Sequence, residues 1–190
     1  ITQGKPDHHW TFDSFLPAKN VKAASGPTFP EYPAFGKTNP AVEMKSGGRI
    51  IITDPGDDSV FDFDYRDEIT VEAMVYVDEL RDQAAILTKG RTNNKGFPAN
   101  NQNWAFRLKA TAGGQAGVNF LFRSRGAEDH PADWHRWTSN QGFTVGDGWH
   151  HVAISYRFGD PESIQGYLDG KPVKGKWDMG GPTTRPPVVD

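Results

Sequence analysis

Along this chain the apolar positions recur with a period of two rather than three or four. Ile69, Val71, Ala73, Val75 and Val77 fall on one side of an extended segment, and Thr70, Glu72, Met74, Tyr76 and Asp78 on the other, because successive strand side chains project to opposite faces. Trp104, Phe106, Leu108 and Ala110 alternate in the same way with Ala105, Arg107 and Lys109, and Val118, Phe120 and Phe122 with Asn119, Leu121 and Arg123. The first face of each segment is predicted to line a core. Strands are predicted over 49–53, 59–63, 69–78, 84–89, 104–110, 118–124, 151–158 and 165–169, each bounded by Gly, Asp, Asn or Pro. Many short strands at such spacing predict an all-β, two-sheet antiparallel jelly-roll sandwich. The one helical candidate is a turn over 79–83 with Asp78 as its cap. The Pro-rich stretch 17–40 reads as an extended surface connection.

Composition agrees with this reading and narrows the function. The 190 residues include 21 Gly and 14 Pro, enough to punctuate many short strands, and Val and Ile together outnumber Leu and Met. One domain is the expectation at this length. The net charge is −3 with no long basic block, so nucleic acid is not an expected partner. No apolar run approaches the roughly 18 residues of a membrane span, so membrane insertion is not expected either. The absence of cysteine excludes disulfides, thiolate metal sites and a cysteine nucleophile. The chain starts at Ile1 without an apolar leader and reads as a trimmed or excised piece.

The segment Asp147-Gly148-Trp149-His150-His151-Val152-Ala153-Ile154-Ser155-Tyr156, followed by Gly166-Tyr167-Leu168-Asp169-Gly170-Lys171-Pro172-Val173, resembles the signature of laminin G-like domains in the concanavalin A-like lectin/glucanase superfamily. Asp169-Gly170 is independently a strong two-residue hairpin signal. Ile69 to Val75 resembles a further strand of that family, and His9 to Asp13 its opening strand. The resemblance implies a concanavalin A-like jelly roll over 1–175 with a loosely ordered tail over 176–190. Nothing after Gly175 matches the family's closing strand, so the expectation is a truncated chain with open sheet edges that could pair in an oligomer. Insertions relative to the family are expected over 91–103 and 126–141.

Loops of this kind carry function. The segment 133–141 is rich in Trp, His, Arg and amides, and Asn101 and Asn103 lie in another amide-rich stretch. Aromatic faces stack on sugars, while amides and Arg fix their orientation by directed hydrogen bonds. Trp134, Arg136, Trp137, Asn101 and Asn103 are therefore the candidate ligand-binding residues. Trp134 and Trp137 lie three apart, so on a regular strand they face opposite sides and at least one belongs to the core. Trp134, Arg136 and Thr138 can share a face. Among Asp54, Asp57, Asp58, Asp62 and Asp64, Asp57 and Asp58 are the candidate Ca²⁺ ligands, since hard oxygens suit that ion. The competing reading is a turn in which Asp side chains bond the backbone. The adjacent pairs His8-His9 and His150-His151 point to opposite faces and cannot chelate one ion together. In the second pair, one ring is expected beside the core and the other bonded to backbone.

Glu68, Thr70 and Glu72 reproduce the spacing of a retaining β-glucanase strand of the same superfamily, but Thr70 stands where the pKa-tuning Asp would be. The preferred expectation is a noncatalytic recognition module from a larger secreted or surface bacterial protein. Its partner would be a polysaccharide or glycoprotein, and its location extracellular, cell-surface or periplasmic. A β-glycosidase using Glu68 and Glu72, and a structural or assembly domain, are the alternatives.

Overall fold

The computed structural model describes residues 6–14, 18–54, 56, 59–90, 101–126 and 134–189. Among these residues the chain forms eleven strands and no helix. It divides into two compact units, Ile1–Ser59 and Val60–Asp190.

In the first unit, β1 (Val21–Ser25) pairs antiparallel with β2 (Pro40–Met44), Val21 opposite Met44 and Ser25 opposite Pro40. Lys22 and Glu43 face each other across this pair at 2.9 Å. The stretch 17–40 is therefore more than the plain connection its prolines suggest. Strand pairing begins inside it, and β1, with Ala23 and Ala24 adjacent and only five residues, leaves no alternation to reveal it.

The second unit is the sandwich. One sheet holds β3 (Glu68–Tyr76), β8 (Trp149–Arg157), β9 (Asp160–Leu168) and β10 (Lys171–Val173) in the order β10-β9-β8-β3. The other holds β4 (Ala84–Lys89), β5 (Trp104–Ala110), β6 (Ala116–Arg123), β7 (Trp134–Phe143) and β11 (Gly175–Met179) in the order β11-β7-β6-β5-β4. All pairings are antiparallel. The apolar faces read from the alternation meet between the sheets. Phe106, Val118, Phe120 and Phe122 come from the five-stranded sheet and Ile69, Val152, Ile154 and Tyr156 from the four-stranded one, all of them buried. Phe122 meets Phe158 edge-on at 5.4 Å, and Phe120 lies 5.6 Å from Tyr156. Burying each such ring stabilises the fold by roughly 1.5–3 kcal/mol, and edge contacts add to this.

Several expectations differ from the structure. Residues 49–53 and 59–63 join no strand. Residues 79–83 form bends and a turn instead of helix, with Gln83 at φ 62° just before β4. The stretch 126–141 is not simply an inserted loop, because β7 starts at Trp134 and lies between β6 and β11. Its inward positions include His135 and Ser139, whose polarity hides the alternation.

The tail is ordered as well. Beyond β11, Pro187 bridges Ser124, Arg125 N–H donates to Pro186 O at 2.9 Å, and Val188 N–H donates to Arg123 O at 2.8 Å. The domain boundary expected at 175 therefore cuts through a paired strand. β11 is too short to signal itself in the sequence, and its partner β7 carries no clean alternation to point to it.

Candidate functional site

The face of the five-stranded sheet turned away from the core carries the polar half of the alternation. Register places Arg107 opposite Asn119, Asn119 opposite Thr138, and Leu121 opposite Arg136. The side chains along this row are bonded into a chain. Arg107 Nη1 donates to Gln83 Oε1 at 2.8 Å and its Nε to Asn119 Oδ1 at 2.9 Å. Asn119 Nδ2 donates to Thr138 Oγ1 at 2.8 Å, and Thr138 Oγ1 donates to Asp178 Oδ2 at 3.1 Å. Arg136 then grips Asp178 with both arms, Nε to Oδ1 at 2.7 Å and Nη2 to Oδ2 at 3.3 Å. Asp178 is the extra residue of a β11 bulge between Trp177 and Met179, and it alternates with the inward Trp177 onto this outer face. At the end of the row the Arg123 guanidinium lies over the Trp134 ring, 5.4 Å from its centroid, within range of a cation–π attraction.

Of the residues expected to bind a ligand, this face brings Trp134 and Arg136 together, one residue removed on the same strand. Trp134 is half-buried, and the Arg136 and Asp178 side chains each retain 17% of their exposure. The other three residues are corrected. Trp137 points the opposite way into the core at 4% exposure, and the close approach of its indole to Gly166 and Gly175 is possible only because those glycines lack a Cβ. Asn101 and Asn103 are buried at 1% and 2%. Asn103 Nδ2 donates to Phe63 O at 3.2 Å and to Val188 O at 2.6 Å, tying an irregular segment and the tail to the sheet. The neighbouring Gln102 acts similarly, donating to Lys89 O and Trp104 O. Such amides satisfy backbone carbonyls that no ladder reaches.

Asp57 and Asp58 lie outside the described residues. Asp54 Oδ1 accepts the Gly56 N–H at 3.0 Å, which is turn geometry. Among the described residues no group of three or more His, Asp or Glu is placed to hold a metal ion. Glu68 and Glu72 sit on the exposed face of the four-stranded sheet. Glu68 is ion-paired to Arg157, and Glu72 Oε2 lies 3.1 Å from His151 Nε2.

His150 stacks on Phe143 with centroids 4.2 Å apart, and its Nδ1 and Nε2 meet Asp169 and Asp147 at 2.9 and 2.8 Å. Burial disfavours the charged ring, yet these hydrogen bonds and the two negative charges outweigh it and hold the His150 pKa above the ordinary histidine value. The expected partition of the histidine pair is thus half right: one ring packs on the core, but the other bonds a carboxylate instead of backbone. A further histidine, His135, receives the hydroxyl of Ser124 at Nε2 (3.0 Å) and donates from Nδ1 to Gly181 O (2.8 Å). Ser124 is fully buried, so this pair fastens the tail rather than presenting a nucleophile.

Two open depressions lie among the described residues. One, of about 450 Å³, is bordered by His135, Pro161 and residues 180–185, and the other, of about 530 Å³, by Tyr65, Arg66, Glu68, Arg157 and residues 158–160. Neither includes Trp134. Arg107, Asn119, Arg123 and Asp178 belong to the patch without having been among the expected residues. The first three occupy the polar positions of β5 and β6 and are legible as one face; Asp178 is hidden in the stretch expected to be tail.

Two antiparallel sheets closed on one apolar core, with an ion-paired and aromatic outer face, define a lectin-like sandwich. The chain belongs to a laminin G-like family of the concanavalin A-like lectin/glucanases superfamily, whose family model matches residues 46–189. At that level it is a binding-type module. No curated protein and no solved structure matches the chain.

Proposed function

We propose that this domain is a noncatalytic recognition module for a polysaccharide or the glycan of a glycoprotein, carried by a secreted or surface-exposed bacterial protein. The observation that carries the reading is the Trp134–Arg136 pair on the outer face of the five-stranded sheet, with Arg123 over the indole and Asp178 orienting the guanidinium. An indole offers a flat apolar surface to the C–H face of a sugar ring. Arg136, held by a carboxylate and backed by the Asn119–Thr138 hydrogen bonds, presents its outward edge without having to be ordered on binding. Recognition through one indole and one guanidinium needs no deep pocket, which fits the position of the two depressions elsewhere. Single-site binding would be weak and strengthened by multivalency.

A glycan array probed with the intact chain tests this. The expected outcome is retention on a defined glycan set that falls at least tenfold in Trp134→Ala and in Arg136→Ala, both checked for folding by circular dichroism. An array without specific hits, or hits indifferent to both substitutions, rejects the proposal.

A further inference from the structure

We propose, resting on the recognition role given to the outer face of the five-stranded sheet, that the sugar it takes is acidic, with a ring carboxylate held between Arg136 and Lys176. Charge is divided unevenly between the two sheets. The outer face of the five-stranded sheet carries Arg107, Lys109, Arg123, Arg136 and Lys176, and Asp178 is the one acidic residue in its five strands. Lys89, the remaining basic residue of these strands, lies opposite the inward Trp104 and pairs with Asp62 at 2.9 Å. The four-stranded sheet is the reverse, with Glu68, Glu72, Asp160 and Glu162 against Arg157 and Lys171. The chain as a whole carries −3, so the cations of this one face reflect no general surplus. A face of one sign raises the local concentration of ligands of the other.

Asp178 cannot answer these charges alone, because both of its oxygens are engaged. Oδ1 accepts from Arg136 Nε, and Oδ2 accepts from Arg136 Nη2 and from the Thr138 hydroxyl. A guanidinium carries five N–H groups. The side-on grip on Asp178 therefore leaves Nη1 and the second Nη2 N–H, a fork whose geometry matches a planar carboxylate.

Lys176 supplies the second arm. It lies opposite Thr138 and so diagonal to Arg136, a separation of roughly 7–8 Å across which two long side chains can close on one group. Its side chain is exposed, and among the described residues no carboxylate pairs with it. Trp134 is two residues from Arg136 on the same strand and face, about 7 Å along the strand. A sugar stacked on the indole thus presents a ring carboxylate one step further, to the Arg136 fork on one oxygen pair and to the Lys176 ammonium beside it. The same ring without its carboxylate leaves both cations to water, so the charge of the ligand decides affinity at this face.

Binding of the intact chain to immobilised polysaccharides tests this, with hyaluronan, alginate and polygalacturonate as carboxylated probes, dextran sulfate as a sulfated one and dextran as a neutral one. A carboxylated probe should be retained, and Trp134→Ala should weaken it at least about tenfold. Lys176→Glu should do the same, while Lys176→Arg stays within about threefold of the wild type. Lys171→Glu makes an equal change of net charge on the four-stranded sheet and should stay within about twofold, which separates contact at this site from general attraction. Methyl esterification of the retained polysaccharide keeps the sugar, removes its charge and should abolish binding. A retained set that is neutral or solely sulfated, yet lost in Trp134→Ala, overturns the acidic ligand and leaves recognition at this face standing. Carboxylated binding indifferent to Lys176→Glu overturns it too. Probes and a glycan array that all lack Trp134-dependent binding reject both readings.

Discussion

His150 shows how one side chain can couple the hairpin that carries the family signature to pH. Both ring nitrogens face carboxylates, so the doubly protonated ring satisfies Asp147 and Asp169 together. Its pKa is raised on folding. The resulting stabilisation is complete below the unfolded-state value of about 6.5 and is lost as pH rises through the higher folded value. Urea midpoints measured from about pH 5.5 to about pH 9 should therefore decline across that window in the wild type, with a flatter profile in His150→Gln. A titration of the ring by NMR should place the folded pKa above that of the denatured chain. Asp178 makes a separate prediction at the same scale. Asp178→Ala strips the acceptor from Arg136 and Thr138 while leaving both in place, and a lost hydrogen bond to a charged group costs about 1.5–3 kcal/mol, readable by urea denaturation.

The elements most exposed to single changes are β7 and β11 and the tail beyond them. The ring of Trp137 passes so close to β11 that a Cβ at Gly175 would sit 2.2 Å from Cζ2 and 2.5 Å from the Thr138 carbonyl oxygen. Gly175→Ala should cost about 1–3 kcal/mol, as overpacking does, whereas Gly113→Ala, with nothing within 4 Å, should leave the denaturation midpoint unchanged. Asn103→Ala should release the tail strap, seen as faster hydrogen exchange at Val188 N–H and Arg125 N–H, which are bonded across the same bridge. These are also the elements least legible beforehand. β3, β5, β6 and β8 can be read because one face of each is largely apolar and the other more polar, whereas β4 is read from its short apolar run. β7 carries His135 on its core face, and the short β11 alternates Trp177 and Met179 with Lys176 and Asp178 for too few residues to stand out. Asn101 and Asn103 mislead for a related reason: amides suit both sugars and stranded backbone carbonyls, and composition does not distinguish the two uses.

For the whole molecule, the sandwich class follows from periodicity and the hairpin motif together, and the family match over 46–189 agrees with both. A fold of this kind hosts lectins, enzymes and adhesion domains alike, so function rests on what its outer faces present. Only Trp134 and Arg136 of the five expected ligand residues lie together on such a face, and their neighbours Arg123 and Asp178 complete the patch. The most direct measurement is an NMR titration of the intact chain with the glycan retained most strongly on the array, following the indole N–H signals. The Trp134 signal is expected to move saturably while those of the buried Trp104 and Trp137 stay fixed. A Trp134 signal that does not move, or binding that shifts other indoles in its place, contradicts recognition at this face.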